Sequence, residues 1–178
     1  MPSALVIVDY QNDFVPPDGA LAVPAGETVA QRINALAASG DFDLVVATRD
    51  WHPADHGSFA DRGGTWPVHC VQGTPGAELH PALDRAAIDV VIDKGQARDT
   101  AGYSGFDATN LAALLRERGI DEVTVVGLAT DYCVRHTALD ALREGFAVRV
   151  DPGAVRGVDP GDAAAALDEL RAAGADVG

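Results

Sequence analysis

Hydrophobic and polar positions along the chain follow two different spacings. Short runs rich in valine and isoleucine have the length and composition of buried strands, and they occupy residues 4–8, 44–47, 90–92, 123–126 and 147–150. Between these runs, apolar residues recur three and four positions apart, which is the spacing of one helix face. Helices are therefore predicted at residues 29–37, 111–115, 132–144 and 162–173.

The order of these elements predicts the fold. Strand and helix alternate through most of the chain, and parallel neighbouring strands need crossover connections that are usually helical. We therefore expect a doubly wound α/β domain, with a parallel sheet covered by helices on both faces. A chain of 178 residues is large enough to bury one continuous core. A single domain over residues 1–178 is the expected organisation.

One long connection, residues 49–87, interrupts the alternation and contains both tryptophans and four of the five histidines. A connection of this length in a compact domain is usually functional. Ligands of open parallel sheets bind outside the carboxyl ends of the strands. Polar residues follow the predicted strands at that edge, at Asp9, Asp50, Lys94 and the segment 127–133. We expect the chemistry of the protein at these positions.

Charge and composition exclude several classes of partner. The chain has 13 basic and 27 acidic side chains and a formal net charge of −14, which repels phosphate backbones and anionic membrane surfaces. No nucleic acid and no membrane partner is expected. Because no apolar run could cross a bilayer and no signal-peptide pattern is present, we expect a cytoplasmic protein. In that reducing compartment Cys70 and Cys133 should be free thiols.

Three residues at the strand ends are candidates for catalysis. Cys133 lies at the predicted start of a helix, where backbone N–H groups and the helix dipole lower a thiol pKa. Asp9 follows five apolar residues, so burial should raise its pKa and suit it to accept the thiol proton. Lys94 is placed to pair with that carboxylate or to stabilise developing negative charge. The alternatives are a buried structural cysteine, a turn-capping aspartate and a solvated lysine.

Asp50, His52 and His69 form a candidate metal site. Asp50 and His52 are two residues apart, on the same side of an extended segment, and the long connection can return His69 to them. Two imidazoles and a carboxylate with open positions suit Zn²⁺, Fe²⁺ or Mn²⁺. Most isolated D-x-H patterns bind nothing. His56 is either a fourth ligand or a hydrogen-bond partner of a ligand.

Three aromatic residues, Phe14, Trp66 and Tyr103, fall beside these polar positions. A flat ring can stack among them, and core packing is the alternative role for each. No glycine-rich fingerprint follows a strand, so the sequence indicates neither nucleotide binding nor an organic cofactor.

Six segments together resemble the nicotinamidases of the isochorismatase-like cysteine hydrolase superfamily, and the resemblance covers the chain from residue 6 to about residue 158. They are V-D-Y-Q-N-D-F (8–14), R-D-W-H-P (49–53), W-P-V-H-C-V-Q-G-T-P-G-A (66–77), D-K-G (93–95), Y-S-G-F (103–106) and G-L-A-T-D-Y-C-V (127–134). The resemblance implies a three-layer α/β/α fold with a six-stranded parallel sheet in the order 3-2-1-4-5-6. In that order strands 1 and 4 are neighbours, and Asp9 meets the Cys133 turn between them.

The resemblance also implies an activity, the hydrolysis of nicotinamide to nicotinate and ammonia through a cysteine thioester in NAD salvage. Related amides such as pyrazinamide are expected as further substrates. It implies a catalytic triad of Asp9, Lys94 and Cys133, and one divalent ion held by Asp50, His52 and His69. A cis peptide bond between Leu128 and Ala129 is also implied, with the N–H groups of Ala129 and Cys133 forming an oxyanion hole.

Two other functions stay open at this point. An amidase acting on carbamoyl or ureido substrates would resemble the chain at the catalytic triad but not at Asp50, His52 and His69, which argue against it. Isochorismatase activity itself is disfavoured, because it resembles a variant without the nucleophilic cysteine. A non-catalytic metal-binding or thiol-sensing module would also use a free Cys133 beside an acid. The sequence does not decide which metal is bound or whether the protein is a homo-oligomer.

Overall fold

The computed structural model describes residues 1–178. Six strands form one sheet in the order β3-β2-β1-β4-β5-β6, and every pairing is parallel. The expected strand order is therefore confirmed. The strands are β1 (Ser3–Val8), β2 (Leu44–Asp50), β3 (Val90–Lys94), β4 (Glu122–Leu128), β5 (Ala147–Arg156) and β6 (Asp176–Val177).

Helices cover both faces of the sheet, as predicted. The α-helices are α1 (Ala30–Ala37), α2 (Leu111–Glu117), α3 (Arg135–Arg143) and α4 (Pro160–Ala173). On one face, Val6 and Val8 of β1 belong to a buried cluster with apolar residues of α2, α3 and α4. On the other face, Leu5 and Ile7 pack with α1 and with the long connection. Because both faces are covered, β1 is buried along its whole length, which explains its uninterrupted apolar sequence.

Two predicted elements differ from the observed ones. Strand β5 does not end near residue 150 but continues to Arg156, because a register shift against β4 lets pairing resume beyond Asp151-Pro152-Gly153. The helix predicted at 132–144 is divided into a π-helical turn, Thr130–Val134, and α3. Strand β6 has two residues, too few to produce a hydrophobic pattern.

Strands β1 and β4 are adjacent, with Val8 opposite Gly127. In this strand order the crossovers leave β1 and β4 toward opposite sides, which opens a crevice at their carboxyl ends. Asp9 follows β1 and the π-helical turn follows β4, so both lie at this crevice. None of the helices combines the length and the apolar character needed to cross a bilayer.

Close packing at this crevice predicts that Gly127→Ala is far more destabilising than Gly119→Ala. Both glycines have a left-handed φ, +110° and +67°, but a Cβ at Gly119 meets open space, whereas one at Gly127 overlaps the Val8 backbone. The left-handed conformation costs an alanine about 1–2 kcal/mol, and the overlap should bring the loss at Gly127 to about 3 kcal/mol or more. Urea unfolding measures both losses. Equal losses for the two variants would contradict the packing described here.

Candidate active site

The three predicted catalytic residues meet around the ammonium group of Lys94, which is 1% exposed. Its Nζ lies 2.8 Å from Asp9 Oδ2 and 2.6 Å from Asp50 Oδ1. It also donates hydrogen bonds to the Gly102 carbonyl at 2.6 Å and toward Cys133 Sγ at 3.5 Å. Lys94 comes from β3, two strands away from β1, so its long side chain reaches inward across β2. The structure thus places two carboxylates and a thiol around one buried cation.

Asp9 is held by Thr48 on the neighbouring strand β2. The Thr48 hydroxyl donates to Asp9 Oδ1 at 2.8 Å, and the Asp9 N–H donates to the Thr48 carbonyl at 3.0 Å. Asp9 Oδ2 pairs with the Lys94 ammonium at 2.8 Å, and a carboxylate oxygen still has a second lone pair. One oxygen is therefore fixed, and the other remains able to accept a proton.

Burial controls the pKa values of this cluster. It raises the pKa of Asp9, although Lys94 opposes the change, as the sequence predicted. It also raises the pKa of the Cys133 thiol well above its usual value despite Lys94. The predicted lowering of the thiol pKa is therefore wrong, because Cys133 lies in a buried π-helical turn rather than in an exposed first turn of an α-helix. For Lys94, two carboxylates outweigh burial and raise the pKa, which keeps the ammonium charged.

Asp50, His52 and His69 converge beside this cluster, with donor atoms within 4.8 Å of one another. Asp50 Oδ2 lies 3.3 Å from His52 Nε2 and 3.8 Å from His69 Nε2. Each imidazole Nδ1 contacts a carbonyl oxygen, Gly95 for His52 at 2.7 Å and Pro67 for His69 at 2.8 Å. Because a carbonyl only accepts, Nδ1 carries the proton and Nε2 presents its lone pair. Two neutral imidazoles and a carboxylate with this orientation fit a divalent ion.

Asp50 connects the two groups of residues. Its Oδ1 accepts from Lys94, while Oδ2 faces the histidines. Burial alone would raise the pKa of Asp50, but the Lys94 ammonium holds it below its usual value. Gln11 fixes the Asp50 backbone, since its Nε2 donates to the carbonyl and its Oε1 accepts from the N–H, both at 2.8 Å. The carboxylate is therefore ionised and held from both sides.

The structure does not bring His56 into the metal set. Its Nδ1 lies 2.7 Å from the Ser58 hydroxyl and its Nε2 2.7 Å from the Thr100 carbonyl. The ring stacks on His52 with 3.8 Å between centroids. In this arrangement His56 supports the His52 ring and offers no nitrogen toward Asp50.

A cavity of about 410 Å³ opens onto these groups, and its lining includes Phe14, Trp66 and Tyr103, the three aromatic residues singled out in the sequence. Trp66 Nε1 donates to the Tyr103 hydroxyl at 2.9 Å, which fixes the two rings relative to each other. Tyr132 also lines the cavity, with its ring edge-on to Trp66 at 5.0 Å. Cys133 lies in the same wall. A small flat amide therefore has an aromatic surround close to the thiol.

The turn before Cys133 has the predicted backbone. The peptide bond between Leu128 and Ala129 is cis. The Ala129 N–H makes no hydrogen bond with the rest of the chain, and both Ala129 and Cys133 border the cavity. A free N–H at this position suits an oxyanion hole.

Sequence reasoning missed Thr48, Gln11 and Tyr132. Thr48 had a signal, because it is the first polar side chain after the apolar run of β2. Tyr132 also had one, since it precedes Cys133 directly. Gln11 had none, because its contacts with Asp50 and with the Ala77 carbonyl are 39 and 66 residues away in sequence.

A buried thiol, a carboxylate base and an ammonium group at the switch point of a doubly wound sheet define the class of thiol-dependent hydrolases. Residues 3–178 match the isochorismatase domain, and the chain belongs to the isochorismatase family.

The similarity to other proteins extends over nearly the whole chain. The nicotinamidase/pyrazinamidase of Mycobacterium tuberculosis is 50% identical over 179 residues, covering 96% of this chain and 95% of that protein. The pyrazinamidase of Pyrococcus horikoshii, solved in complex with zinc, is 45% identical with a TM-score of 0.93 and covers 100% of this chain and 99% of its own. PnC1 of L. infantum, solved in complex with nicotinate, is 41% identical with a TM-score of 0.96, covering 99% and 91%.

The geometry of the metal set predicts that His69→Ala loses metal affinity whereas His80→Ala does not. His69 presents its Nε2 toward Asp50, but His80 lies outside the set and only accepts a hydrogen bond from the Ala82 N–H. Because even outer-shell partners of a ligand contribute roughly 10–100-fold, loss of a ligand should weaken binding at least ~100-fold. Calorimetric titration of each metal-free variant with Zn²⁺ measures the effect. Similar dissociation constants for both would show that His69 is not a ligand.

Proposed function

We propose that this protein hydrolyses nicotinamide to nicotinate and ammonia through a thioester on Cys133. The observation that carries the proposal is the convergence of Asp9, Lys94 and Cys133 on a histidine-carboxylate set at the base of an aromatic cavity. Relatives named nicotinamidase, and a similar structure holding nicotinate, support this choice of substrate.

The first step is activation of the thiol. Burial keeps Cys133 protonated and raises the proton affinity of Asp9, so the carboxylate takes the proton as the sulfur attacks the carboxamide carbon. Oδ1 already accepts from the Thr48 hydroxyl, so Oδ2, which pairs with the Lys94 ammonium, is the oxygen that accepts it. The N–H groups of Ala129 and Cys133 then stabilise the tetrahedral oxyanion.

The second step releases the products. Asp9 returns its proton to the leaving nitrogen, ammonia departs, and the acyl group remains on sulfur as a thioester. A water molecule gives a proton to Asp9 while its oxygen attacks the thioester carbon. Collapse of that tetrahedral intermediate expels the sulfur, and Asp9 returns its proton to the sulfur to restore the thiol. The acid product leaves as nicotinate after losing its proton to solvent. Throughout both steps the Lys94 ammonium keeps a positive charge beside the carboxylates, which favours ionised Asp9 between transfers.

The substrate ring is positioned by the cavity. Phe14, Trp66 and Tyr103 enclose it, and orientation of this kind contributes several kcal/mol to catalysis. Asp50, His52 and His69 would hold a divalent ion, and that ion, when bound, supplies a Lewis acid that accepts the pyridine nitrogen much as it accepts imidazole. This chain's own residues perform every proton transfer.

The two competing functions receive less support. A carbamoyl or ureido amidase has no need of the metal set, yet the structure orients both imidazoles toward Asp50. A thiol sensor needs an accessible sulfur, whereas Cys133 is 7% exposed.

The chemistry also favours a cellular location. A nucleophilic thiol must stay reduced, which favours the cytoplasm, and we propose that the reaction serves NAD salvage there.

Replacement of Cys133 by alanine should abolish ammonia release from nicotinamide while the protein still folds, because only the nucleophile is lost. We expect less than about a hundredth of the wild-type rate, at least ~2.7 kcal/mol in the barrier. Cys70→Ala is the matched control, since Cys70 is also a buried free thiol but does not line the cavity. It should keep most of the activity. A Cys133→Ala variant with more than a hundredth of the wild-type rate would exclude the thioester.

Benzamide tests how the ring is held, because it has the shape of nicotinamide without the ring nitrogen. We expect the wild-type enzyme to hydrolyse it at least ~100-fold more slowly, roughly 2.7 kcal/mol in the barrier. His52→Ala should narrow the difference by slowing nicotinamide far more than benzamide. Steady-state kcat/KM for both amides and both proteins gives the comparison. Comparable wild-type rates for the two amides would show that the metal set does not recognise the ring.

A further inference from the structure

The Lys94 ammonium lies where a second metal ion would bind. A carboxylate oxygen of Asp9, one of Asp50 and the sulfur of Cys133 lie within 4.8 Å of one another. Carboxylate and thiolate are ligands for the same borderline ions that suit the histidine set. We call this group of donors the thiol set, Asp9, Asp50 and Cys133, in distinction from Asp50, His52 and His69.

A cation already occupies the thiol set. Lys94 Nζ is 2.8 Å from Asp9 Oδ2, 2.6 Å from Asp50 Oδ1 and 3.5 Å from Cys133 Sγ. Asp9 is fully buried, and its Oδ2 lies 2.8 Å from the ammonium, within the range of a charge-assisted hydrogen bond. Lys94 is the only cationic side chain paired with Asp9. Without the ammonium, this oxygen would be free to bind another positive ion.

The two sets share Asp50, so an ion held by the histidines lies close to the nucleophile. Thiolate is a softer and stronger ligand for these ions than carboxylate, and a sulfur bound to a metal no longer attacks a carbonyl freely. Catalysis by the thiol therefore requires that the ion stay at Asp50 Oδ2, which faces the histidines. The other oxygen, Oδ1, faces the thiol set and accepts a hydrogen bond from the Lys94 ammonium.

We propose that Lys94 fills a second metal-binding position formed by Asp9, Asp50 and Cys133, and thereby confines the resident ion to Asp50, His52 and His69. A fixed ammonium has no vacant coordination site and forms no coordinate bond with sulfur, so it neutralises the carboxylates while the thiol stays reactive. Removal of the ammonium leaves two buried carboxylates without a counter-ion. A divalent ion would then enter, with release of the thiol proton to solvent.

The proposal rests on the metal site of the proposed function, but not on the identity of the substrate. It is tested by metal stoichiometry and by spectroscopy, without a turnover assay. If the protein did not hydrolyse nicotinamide, the proposal about Lys94 would still hold. If the proposal about Lys94 were wrong, the protein could still be a nicotinamide hydrolase.

The test titrates metal-free Lys94→Met with Co²⁺. Methionine has nearly the length of lysine and no charge. We expect two equivalents of Co²⁺ to bind, against one for the wild type, and a thiolate-to-cobalt charge-transfer band to appear with the second. The double variant Lys94→Met/Cys133→Ala should lose that band, which excludes Cys70 as its source. A folded Lys94→Met protein that binds one equivalent and shows no band would overturn the proposal.

Lys94→Arg is the matched variant, because it keeps the positive charge while changing the side chain. It should bind one equivalent without the band, and a second equivalent there would also overturn the proposal. If Lys94→Met does not fold, the wild-type protein is titrated with excess Co²⁺ instead, and the bound equivalents and the thiolate band are measured. Saturation at one equivalent without a thiolate band supports the proposal. A band that disappears in Cys133→Ala shows that the ammonium does not keep metal from the sulfur.

Discussion

The site depends on one buried ionic group, Lys94 between Asp9 and Asp50. Removing charges from water is costly, and a buried charge that loses its partner destabilises a protein by about 3–5 kcal/mol. Here one ammonium lies between two carboxylates, so the group has an excess negative charge. Because of that excess, the charge of Asp50 adds to burial in raising the pKa of Asp9. The carboxylate and the thiol of the proposed mechanism, and the candidate metal ligands, are all arranged around this ionic group.

The fold supplies this group through strand order. Parallel strands end at the same edge, and the order β3-β2-β1-β4 aligns the residues that follow each one. Asp9, Asp50, Lys94 and the Cys133 turn come from four different strands. The two apolar cores on either face hold those strands rigidly, and a site built on strand ends inherits that rigidity. The loops are fixed to these strand ends by hydrogen bonds. Gln11, for example, donates to the carbonyls of both Asp50 and Ala77 and so connects β2 with the long connection.

The sequence allowed much of this to be predicted, but unevenly. Strands such as β1 were clear because burial on both faces leaves a continuous apolar run. Asp9, Asp50 and Lys94 were found because they end such runs. The thiol pKa was predicted wrongly, since helix pattern alone does not show that Cys133 lies in a buried π-helical turn. Gln11 could not be found, because its role depends on contacts between segments far apart along the chain.

One hydrogen bond of Lys94 connects the buried charges with the aromatic residues of the cavity. Lys94 Nζ donates to the Gly102 carbonyl at 2.6 Å, and the next residue, Tyr103, is hydrogen-bonded to Trp66. The ammonium therefore helps to fix the positions of Tyr103 and Trp66, in addition to neutralising the carboxylates. The polar and the apolar halves of the cavity form one connected unit. In the proposed mechanism, ring recognition and proton transfer are consequently not separable properties, and a change at Lys94 alters the shape of the cavity together with its electrostatics.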